Sequence, residues 1–303
     1  MSHEYGRPVP DADPPDIGFQ AAFGFYLGLV AGGLVVLAGL VADATTAALL
    51  GTFPTVVTAV TLGGHVLAKR ARGLPERIGR SRRSRLVCYL PAAGFAAAAL
   101  APSAGLLEPT ARYLIATVAL GAVLAVTAVG LERLCRNRFV EAVTPDEPTA
   151  IWSYRPAGAL ARNGVWIGSA ALVAVGGLWT LGLGDPIGLL WVVYGAVMLA
   201  SNWLEFDPDD GWIARTSPDP SRERGELRVH DRGVRYDRGR SRKLVPWERI
   251  TEIRLTDDEL VLERRFRNLR CDRSAIDDPE AVYEALEETN SRAKTGARTA
   301  NGR

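Results

Sequence analysis

The sequence predicts an α-helical membrane bundle of six transmembrane helices followed by a small cytoplasmic α+β domain of antiparallel strands and one C-terminal helix. Three observations lead there. Nearly all long apolar runs lie within residues 17–205. From Glu226 onward, apolar and charged residues alternate with a period of two. Arginine is concentrated in two separate loops between apolar segments. The averages over 303 residues, 48% hydrophobic and 23% charged, conceal this division into regions that face different solvents. The expected boundaries are a disordered leader at 1–16, the bundle at 17–205, a linker at 206–225, the strand-rich domain at 226–290 and a disordered tail at 291–303.

A span needs about 20 mostly apolar residues. Six segments meet or approach this: Ile17–Val41, Thr45–Ala68, Leu86–Ala101, Tyr113–Leu131, Val165–Leu183 and Ile187–Leu204. The third holds Pro91 and is followed by Pro102, and Pro54 lies in the second, so spans two and three are where a helix could break. Between spans two and three lie Arg70, Arg72, Arg77, Arg80, Arg82, Arg83 and Arg85 with Lys69; between four and five lie Arg133, Arg136, Arg138, Arg155 and Arg162. The remaining connections carry only Arg112. The excess of cations in cytoplasmic loops then implies a multi-pass protein of the cell membrane with both termini cytoplasmic. The leader MSHEYGRPVPDADPPD lacks the basic start of a signal peptide. Trp152, Trp166, Trp191, Trp203 and Trp212 lie near proposed span ends, where an aromatic belt would sit.

The spans carry little polar chemistry. Ionisable residues in mid-span are costly and usually functional, and none is found here; Gln20 and His65 lie near span ends, where the interface can solvate them. This argues against an ion-coupled pump and leaves a passive pore open. Gly24, Gly28 and Gly32 form one row on a helix face, and Gly164 and Gly168 repeat the spacing. Such a row admits a close neighbouring helix, first within the bundle and second in a homo-oligomer.

Cys88, Cys135 and Cys271 are isolated, without CxxC or clustered histidine, so neither a disulfide framework nor a metal site is expected. The carboxylates of Glu205–Trp212 lack the spacing of a calcium loop and read as a solvated linker. No phosphate-binding loop or nucleophile motif occurs, so no cofactor and no enzymatic activity are expected. The net charge of +2 provides no global basic field for nucleic acid. The expected partners are the lipid bilayer, anionic lipid headgroups, and an unidentified protein or a second copy of the chain.

In the charged third of the chain, Leu227/Val229, Val234/Tyr236, Ile253/Leu255, Leu260/Leu262 and Leu269/Cys271 alternate with polar residues such as His230. These are half-buried strands, and the glycines of "DRG" at Asp231–Gly233 and Asp237–Gly239 suit tight hairpins. Asp278 can cap a helix with Pro279 in its first turn, its apolar face formed by Val282, Ala285, Leu286 and Thr289.

Between strand and helix stands "VPWERITEI": Leu244-Val245, then Pro246-Trp247, Glu248-Arg249 and Ile250–Leu255. This order, with the "DPEAVYEAL" helix, resembles the pleckstrin-homology-like domains attached to prokaryotic membrane proteins. The resemblance covers Glu226–Asn290, about a fifth of the chain, and is short at its start. It implies a further early strand, for which Trp212–Thr216 is one candidate. It also implies that Arg235, Arg238, Arg240, Arg242 and Lys243 lie on a first hairpin, where related domains contact lipid headgroups. Asp231 and Asp237 interrupt that run, so a solvated turn is the competing reading. "RRFRNLR" (Arg264–Arg270) could extend the same surface or be an outward strand face and a loop. Trp247 reads as a core anchor. The expected function is a non-enzymatic membrane protein presenting this module to a protein or anionic lipid; the alternative is a channel or transporter whose soluble domain is regulatory.

Overall fold

The computed structural model describes residues 15–102, 105, 110–154, 225–238, 241–264 and 268–301, with the short helical pieces 172–173, 175–177, 179–180, 188 and 191–195. It divides into two compact units: Met1–Phe139 with Trp166–Leu204, and Val140–Val165 with Glu205–Arg303.

In the first unit the described helices are α1 (Ile17–Val41), α2 (Thr46–Arg70), α3 (Leu74–Arg80), α4 (Arg82–Leu86), α5 (Leu90–Leu100) and α6 (Ala111–Val143). Three of them, α1, α2 and α6, are long and apolar enough to cross a membrane. Asp16 caps α1 by accepting from Phe19 N at 2.6 Å, and Thr45 caps α2 by accepting from Ala48 N at 3.3 Å. Pro54 does not break α2, which runs through it. Exposed Leu34, Leu50, Leu62 and Leu67 are the surface a bilayer would cover.

The glycine row packs α1 on α2. A Cβ on Gly24 would stand 2.5 Å from the Thr61 carbonyl oxygen, and one on Gly28 would stand 2.5 Å from Thr61 Oγ1 and 2.6 Å from the Val57 carbonyl oxygen. One on Gly32 would meet Val57 Cγ2 at 2.7 Å. Substituting Gly28 by leucine is therefore expected to pry the hairpin apart. Disulfide trapping between cysteines placed on the two helices should fall several-fold, while Gly51→Leu, in open space, should leave it unchanged.

The third sequence segment, Leu86–Ala101, does not form one span-length helix. A 3₁₀ turn at Val87–Tyr89 separates α4 from α5, and α5 has 11 residues, about 16 Å against a hydrocarbon core of about 30 Å. Pro91 is the cause: it has no N–H to donate to Val87 O, and Leu90 N–H takes that carbonyl in the tighter pattern instead. Phe95 of α5 nevertheless reaches the bundle core, beneath Gly33 of α1 and beside Gly121 of α6. Tyr26 Oη donates to Cys88 O at 2.7 Å and Tyr113 Oη to Ala98 O at 2.8 Å, satisfying the hydroxyls of two buried side chains. Segments Val165–Leu183 and Ile187–Leu204, with Gly164 and Gly168, lie largely outside the described residues.

The second unit contains two antiparallel sheets and a helix. The first sheet has the order β1 (Ile151–Tyr154), β2 (Gly225–His230), β3 (Gly233–Arg238), β4 (Ser241–Pro246). The second has β5 (Ile250–Leu255), β6 (Glu259–Arg264), β7 (Leu269–Asp272), and α7 (Pro279–Asn301) follows. The alternation at Leu227, Val229, Val234, Ile253, Leu260, Leu262 and Cys271 puts these side chains into one core, which Val282 and Leu286 of α7 close. Burial pushes the Cys271 thiol up to about 12, as befits an inert core residue. Asp278 Oδ1 accepts from Ala281 N at 3.0 Å, the cap expected of it. Gly233, with φ +149°, closes the β2–β3 turn, where a Cβ would strike the Val245 carbonyl.

Three boundaries differ from those expected. First, the second unit takes in Val140–Val165, which the sequence division left in the bundle, and β1 comes from that segment. Ile151–Tyr154 is short and flanked by proline and arginine, so it reads as loop. It becomes a strand only through its partner β2, with Tyr154 opposite Gly225. The candidate Trp212–Thr216 lies outside the described residues, as do Glu205–Trp212 and Gly239. Second, Trp152, expected near a span end, is 5% exposed in the core of this unit. Third, α7 continues to Asn301 where a disordered tail was expected from Ser291. Alanine, lysine and arginine favour the helix, and Arg292 adds an ion pair to Glu288 one turn back.

Candidate interaction surface

The basic residues lie on β3–β4, the hairpin after β2–β3 rather than the first one, and its arginines do not share one outward face. Arg235 is 8% exposed; its Nε donates to Asp237 Oδ1 at 2.8 Å and its Nη1 to Thr144 Oγ1 at 3.4 Å. Arg242 forms an ion pair with Glu141. Arg238 is half-buried, Lys243 is exposed and Arg240 lies outside the described residues. Of the second basic segment, Arg264 is half-buried in β6, Arg270 is exposed and pairs with Glu259 at 3.3 Å, and 265–267 lie outside the described residues. Asp237, expected to weaken a cationic patch, is instead the internal counter-ion of Arg235.

Both Thr144 and Glu141 belong to the stretch that ends α6 and leads to β1. Contacts at three further positions follow along it. Asp146 Oδ2 stands 3.2 Å from His230 Nδ1 and accepts from Asp231 N at 3.0 Å. Thr149 N donates to Val229 O at 2.9 Å, and Val229 N donates to Ala150 O at 3.0 Å. The segment 141–154 is thus tied along the first sheet at five positions before β1 pairs with β2. The contributions differ. Arg242 and Glu141 are each more than a third exposed, so solvent screening keeps their pair within about 1 kcal/mol. The buried contacts matter more, because removing one partner leaves a desolvated polar group unpaired.

His230 alternates in sequence with Val229 as a polar strand residue. It is 2% exposed, held by Asp146 on one side and accepting, through its backbone carbonyl, the Trp247 indole N–H at 3.1 Å. Trp247 is itself 2% exposed, in the 3₁₀ turn that carries the chain from the first sheet to the second. No local pattern marks Asp146 or Thr144, since the residues they meet lie more than eighty positions away.

In the first unit, an apolar cavity of about 450 Å³ lies between α5, α6 and the helical piece 191–195, with Ala96, Gly121, Ala125, Trp191 and Tyr194 among its lining. Among the described residues no group of three or more histidine, cysteine, aspartate or glutamate side chains could hold a metal ion.

Among the described residues, the chain combines three helices suited to crossing a membrane with a separate strand-rich unit ending in a helix. No protein-family model, curated protein or solved structure matches it.

Proposed function

We propose that this chain is a multi-pass protein of the cell membrane that presents a pleckstrin-homology-like module in the cytoplasm, as a non-enzymatic docking platform for a protein partner or anionic lipid. The observation that carries this reading is the second unit's architecture. A four-stranded and a three-stranded antiparallel sheet share one core, a Pro-Trp turn joins them, and a helix closes the end. That is the order of elements the resemblance implies, and β1 supplies the early strand the C-terminal segment lacks. The module also grows from the end of a span-length helix, since the last residues of α6 belong to the second unit. This suits a domain held at a membrane. The cytoplasmic side and the multi-pass topology rest on the arginine-rich loops.

The test is crosslinking in the native membrane through a photoreactive residue at Thr251 or Glu252, both exposed on β5. The expected result is a discrete adduct of protein or lipid that is lost when the module is unfolded. Solute flux through liposomes containing only the purified protein, with no adduct, would favour the transporter reading instead.

A further inference from the structure

We infer that the loop between α2 and α5, folded as α3 and α4, is a binding surface for anionic phospholipid headgroups. Arg72, Arg77, Arg80, Arg82 and Arg83 are all exposed. None pairs with an acid among the described residues. The other basic segment of this unit behaves differently: Arg136 pairs with Glu132 and Arg138 with Asp16. The single acid between Lys69 and Arg85 is Glu76, and it is turned inward, 8% exposed. The outer face of this loop is therefore uniformly cationic.

The surface is built. Gly73 opens α3 in the left-handed conformation, and Pro75 fixes its first turn. Gly79 packs against the α6 backbone so closely that a Cβ would strike the Cys135 carbonyl. Leu74 and Ile78 pack on the bundle core, which leaves Arg77 and Arg80 outward. Arg85 is held by Glu132 at 2.9 Å. Immediately beyond α4, Leu86, Val87 and Leu90 are 55%, 59% and 64% exposed. Exposed cations adjoining exposed apolar side chains match the boundary between headgroups and acyl chains, where cations are drawn to an anionic leaflet. The inference is independent of what the strand-rich module binds.

The experiment compares phosphatidylglycerol with phosphatidylcholine binding to the full-length protein in detergent, by native mass spectrometry and by thermal stabilisation. The wild type is expected to prefer phosphatidylglycerol about tenfold, with the preference shrinking as salt is added. Replacing Arg72, Arg77, Arg80, Arg82 and Arg83 by glutamine should abolish the preference, while Arg249→Gln with Arg254→Gln on the module should retain it. Should the fivefold variant fail to fold, the pair Arg77→Gln and Arg80→Gln, both outward on α3, is expected to reduce the preference several-fold without changing lipid-free stability. A folded variant that still prefers phosphatidylglycerol as the wild type does overturns the inference. So does a wild type without preference, or one whose loop retains nucleic acid that displaces the lipid.

Discussion

Replacing Trp247 by alanine is expected to abolish the cooperative unfolding of the strand-rich unit. The indole is 2% exposed, packs among Leu227, Val229, Ile250 and Leu286 of the shared core, and donates to His230 O at 3.1 Å. Truncating a buried tryptophan costs about 3–5 kcal/mol through lost contacts and the cavity left behind. A domain of this size has a total stability of about 5–15 kcal/mol, so the loss removes a large share of it. The measurement is amide hydrogen exchange of β2–β6 in the full-length protein. Protection should collapse in Trp247→Ala, fall partly in Trp247→Phe, which keeps a ring but leaves His230 O without its donor, and persist when Arg238 and Arg242 are reversed to glutamate. Unchanged protection in Trp247→Ala would show that the turn is not an anchor.

The C-terminal segment alone should fail to fold. A fragment of residues 206–303 retains six strands and α7 but lacks β1. Without residues 144–150 ahead of β1, Val229 N loses Ala150 O, His230 and Asp231 lose Asp146, and Arg235 loses Thr144. Trp152 and Tyr154, 5% and 7% exposed in the core, are missing as well. Losing a buried aromatic costs about 3–5 kcal/mol, so losing two removes an amount comparable to the whole stability of a small domain, about 5–15 kcal/mol. Tyr154 stands directly opposite Gly225, so a two-residue Asn-Gly turn can join residues 140–154 to 225–303 as a hairpin. This joined chain is expected to melt in one cooperative transition by circular dichroism, and the 206–303 fragment to show none. A fragment with its own cooperative transition would make β1 dispensable.

The two results bear on how much of this molecule is legible from its sequence. Strands β2, β3, β5, β6 and β7 follow from period-two alternation, because their partners are neighbours in the chain. The cap at Asp278 and the turn at Gly233 follow from side-chain chemistry acting over three or four residues. The candidate site was less legible. Arginine spacing located the basic hairpin but could not show that Arg235 turns inward to Asp237 and Thr144, or that Glu141 waits for Arg242. Conversely, Arg77 and Arg80 of α3 and Arg82 and Arg83 of α4, read from sequence only as a topology signal, are exposed and pair with no acid among the described residues.

What the sequence by itself determined was local: hydrophobic length sufficient for spans, strand period, and the caps and turns that punctuate both. These depend on interactions within a few residues, so composition and spacing are enough to specify them. The tertiary structure decided what depends on distant partners. It placed the glycine row of α1 against α2 and drew Ile151–Tyr154 out of an apparent loop into the edge of a sheet. A four-residue strand has too little surface to declare itself. Its hydrogen bonds and its burial of Trp152 exist only when β2 lies beside it, and that contact is written in no stretch of sequence shorter than the domain.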